Sequence, residues 1–224
     1  MTSLRILQLT SPALPVGAFS YSEGLEWLVQ TGKITNALNM FDWLEAELKR
    51  GQVRIEAASQ TPVREALKNW KSSTSNQSRN IVIEWNSWLL SLRDSSEVRE
   101  QQRQMGQSLL QLLSDLNHPL PDKSKDFCWP IAWSWAGIVW DISKIELIEG
   151  YLYSWVANQL SAAVRLIPIG PTKAQELQSN LLPLITKQAE LLLNQDPHKI
   201  WTGDIGATFA QLSHAELYSR LFRS

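Results

Sequence analysis

Residues 145–166, IELIEGYLYSWVANQLSAAVRL, decide the fold class. Ile145, Ile148, Leu152, Trp155, Gln159, Ala163 and Leu166 recur at three- and four-residue spacing, one stripe of about six helical turns. Pro168 and Gly170-Pro171 close it. Just upstream, Phe127 to Trp140 is apolar on nearly every side, as a helix at the centre of a bundle would be. Downstream, Leu177, Leu181, Leu184, Gln188 and Leu191 carry a further helix despite Pro183, with Thr172 and Gln175 at capping-box spacing before it. The same period runs towards the amino terminus. Val98, Met105, Leu109, Leu112 and Leu116 mark one helix, ended near Pro119 and Pro121, and Ile81, Trp85, Trp88 and Leu92 mark a shorter one. Lys71 to Ser78, KSSTSNQS, reads as a connecting loop. Ile55, Ala58, Val63, Ala66, Leu67 and Trp70 give another helix, with a break or bend expected at Pro62. Leu38, Phe41, Leu44 and Leu48 form an amphipathic helix between the cap Asn36 and the stop Gly51. Ser213 and Glu216 repeat the capping box ahead of a last helix through Leu217 and Leu221. No stretch alternates as a half-buried strand does. The expectation is an all-α chain: a helical bundle of roughly eight to ten helices, residues 1–224 forming a single domain.

Composition narrows the function. Hydrophobic residues make up 44% and charged ones 19%, the balance of a folded globular chain. A net charge of −1 offers no dense basic surface, so neither nucleic acid nor a membrane is an expected partner. Met1 to Thr10 does not read as a signal peptide, and the longest apolar stretch falls short of the ~20 residues a membrane span needs. The single cysteine, Cys128, fits a reducing compartment, hence the cytoplasm. The eleven tryptophans are mostly expected in the core.

Catalytic constellations are not evident. There is no phosphate-cradling run with its lysine, and Gly203-Asp-Ile-Gly206 reads as a turn or helix start. His118, His198 and His214 are far apart and outside any ligand spacing. Cys128, between Phe127 and Trp129, reads as an inert buried thiol. Carboxylate pairs such as Glu97 and Glu100 read as solvated helix faces. The expectation is a non-enzyme with no catalytic, metal or cofactor residues.

Two segments stand out. Residues 11–26, SPALPVGAFSYSEGLE, combine backbone-restricting Pro12 and Pro15, permissive Gly17 and apolar anchors Leu14, Phe19 and Tyr21. Residues 213–224 close on YSRLFRS, the aromatic and arginine composition of binding hot spots. These two motifs resemble the signatures of the urease accessory protein UreF family. EVREQQRQMGQSLLQLL at 97–113, AWSWAG at 132–137 and WVANQLSAAVRLIPIG at 155–170 also resemble that family, so the likeness runs end to end. Two positions depart from it: Glu23, where many relatives have glutamine, and Ala215, where a glutamate is expected after His214.

The resemblance implies a helical homodimer that binds the accessory protein UreD (also called UreH) and through it recruits and regulates the GTPase UreG on apo-urease, so that nickel is inserted. It implies no cofactor of its own. The residues expected to meet partners are Pro12, Leu14, Pro15, Gly17, Phe19, Ser20, Tyr21, Glu23 and Gly24 at one end, and His214, Tyr218, Ser219, Arg220, Leu221, Phe222, Arg223 and Ser224 at the other. Burial of Leu221 and Phe222 in a partner's groove, at ~1.5–3 kcal/mol each, would hold the tail. Arg99, Arg103, Lys144 and Arg165 are candidates for contacting the GTPase. Two alternatives stay open: a metallochaperone holding nickel through His214 or Cys128 between chains, and a generic helical scaffold.

Overall fold

The computed structural model describes residues 4–73, 75–122 and 126–224. Among them are ten α-helices, two single-turn 3-10 segments and no strand. The helices are α1 (Leu4–Leu9), α2 (Leu25–Gln30), α3 (Ala37–Arg50), α4 (Val53–Ser73), α5 (Asn76–Ser91), α6 (Ser96–Asp115), α7 (Trp129–Val139), α8 (Lys144–Leu166), α9 (Pro171–Leu192) and α10 (Ile205–His214). None of them is long and apolar enough to cross a membrane.

The uniformly apolar segment behaves as its composition predicts. Every residue of α7 from Pro130 to Gly137 is buried, between α6 and α4 with α8 and α5 alongside. α8 in turn packs on α9 and α4 through Leu147, Ile148, Leu152, Val156, Leu160 and Ala163. One connected apolar core runs from Ile6 to Phe222. Most tryptophans serve it: Trp70, Trp133, Trp135 and Trp140 are buried, and Trp201 is exposed. The indoles of Trp133 and Trp135 donate to the Leu147 and His118 carbonyls at 3.0 and 2.9 Å, so burial leaves neither N–H unmet.

Local punctuation explains most boundaries. Asn36 accepts from the Asn39 amide at the start of α3, and Gly51 ends it. Ser95 and Ser143 cap α6 and α8 in the same way. Four expectations need correction. Lys71 to Ser78 is not a loop: α4 runs to Ser73 and α5 starts at Asn76, with Thr74 outside the described residues. The serines are accommodated because Ser72 and Ser73 bond the Asn69 carbonyl one turn back while Ser75 caps α5. α4 is continuous through Pro62, so the chain does not break there into two helices. The Thr172–Gln175 box is unused, because Pro171 already occupies the first helical position and places Thr172 inside the turn. No helix follows Ser213, which lies in the last turn of α10. The chain beyond it is held in turns by a contact described below.

Gly106, in the Met-Gly pair of α6, marks the closest approach in the core. A Cβ there would lie 2.1 Å from the Phe127 carbonyl oxygen and 2.7 Å from the Cys128 carbonyl carbon. These are backbone atoms at the mouth of buried α7, so they have little room to shift. Gly106→Ala should therefore cost on the order of 3 kcal/mol in urea unfolding, the upper range of overpacking. A variant of unchanged stability would show that α6 and α7 can part cheaply.

Candidate functional site

The entry segment is shaped by residues that limit the backbone. Turns close from the Leu14 amide to the Ser11 carbonyl (3.0 Å) and from Val16 to Leu14 (2.8 Å), around Pro12 and Pro15. Gly17, at φ 73°, opens the 3-10 turn Ala18–Ser20. Glu23 and Gly24 then follow in the left-handed region at φ 52° and 86°. Gly24 is required twice over, since a Cβ would meet the Gln211 nitrogen at 2.7 Å as α10 crosses it. Glu23 bears its unfavourable backbone at a cost of order 1 kcal/mol. Its carboxylate is fixed by Gln101 Nε2 at 2.8 Å and Trp155 Nε1 at 3.2 Å.

The tail returns to this same segment. The Ser22 amide donates to the Ser224 carbonyl (2.8 Å), the Arg223 amide to the Ser20 carbonyl (2.9 Å), and Ser22 Oγ also to Ser224 O (2.6 Å). Ser224 Oγ donates to Gln101 Oε1 at 2.6 Å. Glu26, buried on α2, accepts from the Leu221 amide (2.7 Å) and the Phe222 amide (3.0 Å) and faces His214 Nε2 at 3.1 Å. The other ring nitrogen of His214 faces Glu97 on α6 at 3.1 Å, and Arg220 donates to the second Glu97 oxygen. This is why the tail is not a helix: the amides of Leu221 and Phe222 are committed to a carboxylate of α2.

The two motifs are thus one structure, and its residues divide. Tyr21, Glu23, Gly24, His214, Phe222 and Ser224 are buried in the chain itself. Leu14, Gly17 and Ser20 are half-buried. Pro12, Pro15, Phe19, Tyr218, Ser219, Arg220, Leu221 and Arg223 are exposed, Tyr218 completely. Phe222 lies 4.4 Å from the Arg165 guanidinium, which also donates to the Phe19 carbonyl at 2.8 Å. Three of the four proposed GTPase-contacting cations have partners within the chain: Arg165 here, Arg99 on the Asp94 carbonyl (2.9 Å) and Lys144 on Glu65 (3.0 Å). Glu26 and Glu97 were not singled out from the sequence. The spacing of Glu97 and Glu100 suggested a solvated face, and nothing local shows that His214 and Arg220 arrive on it.

Beneath this clasp lies a second buried network. Glu56 accepts from Arg93 Nε (3.0 Å) and Nη2 (2.6 Å), from Gln102 (3.3 Å) and from the Tyr151 hydroxyl (2.7 Å). Burial alone would lower the Arg93 pKa, but the carboxylates of Glu56 and Glu23 raise it above the usual guanidinium range. Tyr151 is pushed well up by burial and by Glu56. Glu47, on α3 in a small cleft with Arg93, Glu23 and Asp204, is raised to about 7 by burial and then by Asp204.

The thiol of Cys128 is buried, which pushes it up to about 12, so at neutral pH it offers no thiolate to a metal or a substrate. His214 meets a carboxylate on both ring nitrogens. Neither residue presents a ready nickel ligand. Among the described residues, no group of three or more His, Cys, Asp or Glu is arranged to hold a metal ion.

The UreF family model matches residues 34–182, the helical body between the two motifs. The chain is 39% identical to the urease accessory protein UreF of Prochlorococcus marinus strain MIT 9312, with all of both chains covered. It is 37% identical to that of Synechocystis sp. strain PCC 6803, over 99% of this chain and 97% of the relative. The chain belongs to the UreF family of urease accessory proteins. Its role therefore lies in the maturation of urease, alongside other maturation factors, and the family is one of accessory proteins rather than enzymes.

Two outcomes follow. Glu26→Ala should release residues 215–224, seen as faster deuterium exchange at the Leu221 and Phe222 amides with helix content retained; unchanged protection there would show that the clasp does not depend on this carboxylate. Glu47 has a folded pKa above its unfolded value, so the folded state binds the extra proton and stability falls as pH rises from about 4.5 to about 7. Glu47→Gln should raise the melting temperature at pH 8, with the gain shrinking below pH 5. An equal gain at both pH values would dissociate it from ionisation.

Proposed function

We propose that this chain is a cytoplasmic, single-domain adaptor of urease maturation, which docks on UreD/UreH and through it recruits and regulates the GTPase UreG on apo-urease, acting as a homodimer without a cofactor of its own. The observation that carries this reading is the composition of the clasp surface. Phe19, Tyr218 and Leu221 are exposed aromatic and aliphatic side chains, with the Leu221 amide bonded to Glu26 and the Phe19 carbonyl to Arg165. Exposed apolar residues Ile205, Phe209 and Leu212 recur along α10, and Phe209 packs edge-on against Trp27 of α2. A preorganised apolar patch rimmed by Arg220 and Arg223 suits protein docking, since little ordering entropy is left to lose on binding.

The tail itself is anchored at home. Phe222 was expected in a partner's groove, and it is buried against Arg165. Deleting Arg220 to Ser224 would strip Glu26 of two donors as well as remove the docking side chains. Point changes separate the two effects. Tyr218→Asp with Leu221→Asp should weaken capture of UreD on the order of 30-fold, the scale of a hot spot, while moving stability by less than about 0.5 kcal/mol. Phe222→Ala should instead cost about 3–5 kcal/mol of stability. Full capture of UreD by the double variant, with its fold intact, would remove this surface from the docking assignment.

A further inference from the structure

The entry segment, α4, α6, α7 and α8 frame a partly open cavity of about 60 Å³, lined by Glu23, Glu56, Gln102, Tyr151, Ser154 and Trp155 among others. It is large enough for an ion of water's size with companion water. The cavity wall is mostly apolar, with a few polar groups set into it. Gln102 Nε2 donates to Glu56 Oε1, and reversing the amide would set its oxygen against that carboxylate. Gln102 Oε1 is therefore an oriented acceptor, buried with no partner among the described residues, and Ser154 Oγ, which can donate or accept, is also buried without one. Glu23 receives one donor on each oxygen, and Glu56 Oε2 one, so each keeps an accepting site.

Charge points the same way. Glu23 and Glu56 are the charged residues of the lining; Arg93 pairs directly with Glu56 and acts on Glu23 only at longer range. The hydrogen bonds of Glu23 come from a neutral amide and an indole. Glu23 is 7% exposed, and burying a carboxylate with no cation in direct contact among the described residues is costly.

We propose that this cavity binds a small monovalent cation that donates hydrogen bonds, of which ammonium is the fitting species. It can donate to Gln102 Oε1 and to the two carboxylates, its size is that of water, and Trp129, Trp155 and Met105 supply a polarisable wall. The site is independent of the docking surface, and its test involves no partner protein.

Thermal unfolding of the full chain at fixed pH and ionic strength, with ammonium chloride replacing sodium chloride, should show a saturable rise in melting temperature. Tetramethylammonium, too large for the cavity, should give none. Glu23→Gln should weaken the effect at least about tenfold, the loss of one charge-assisted contact. Ser154→Ala, the milder change, should weaken it in a chain whose packing is otherwise untouched. Bound ¹⁵N-ammonium should also give a solvent-protected resonance close to Trp155 protons. Equal stability in all salts, or an undiminished rise in Glu23→Gln, would mean that the cavity holds water alone and would overturn the proposal. Potassium matching ammonium would overturn its hydrogen-bonding part.

Discussion

A carboxylate taken out of water must be given donors, and Glu26 is given the other end of the chain. Its oxygens take the backbone amides of Leu221 and Phe222 and one nitrogen of His214. Left unmet in the interior, such a group costs several kcal/mol, so the attachment of residues 214–222 is coupled to the burial of α2. The neighbouring bonds repeat the link: Ser22 and Ser20 pair with Ser224 and Arg223, and Glu97 bridges His214 to Arg220. Loop closure between residues 195 positions apart in sequence is entropically unfavourable, and a set of short buried hydrogen bonds made together is what offsets it.

This coupling sorts the motif residues by physical role. Gly24 exists for the close crossing of α10, Glu23 and Ser22 for hydrogen bonds inside the chain, and Phe222 for the core. Their exposed neighbours Phe19, Tyr218 and Leu221 have no comparable internal task. Alternation of buried and exposed residues along one irregular tail is what a rigid display requires: anchors fix the backbone so that the intervening side chains face outward in defined positions. An unanchored tail with the same side chains would lose much of its binding energy to ordering.

The helices were legible because their information is local. The stripe on α8, the all-apolar α7, and Asn36 and Gly51 bracketing α3 each declare themselves within one window of sequence. Errors arose where a local rule met a non-local partner. Ser213 and Glu216 have good capping spacing, but the amides that a following helix would use are taken by Glu26, far upstream. Glu97 lies among Arg, Gln and Glu on α6 and looks solvated until His214 and Arg220 are brought to it. Lys71 to Ser78 misled in the opposite direction, because serine satisfies its hydroxyl on the preceding turn of a helix as readily as in a loop.

The deeper polar layer shows why such a clasp sits where it does. Glu23, Glu47 and Glu56 gather about the guanidinium of Arg93, with Asp204 at the edge of the same cleft and Arg50 also acting on Glu47. Burial, and then the carboxylates of Asp204 and Glu23, raise Glu47 to about 7 against the pull of Arg93 and Arg50, a deficit in the stabilisation of its charged form. Hydrophobic residues of similar volume could pack this region without any such deficit. Yet the two left-handed residues that lead into α2 place Glu23 there, and its two donors come from α6 and α8. The unfavourable electrostatics are thus tied to the geometry that positions Glu26 three residues later. The same turn that strains Glu23 sets the carboxylate on which the tail closes.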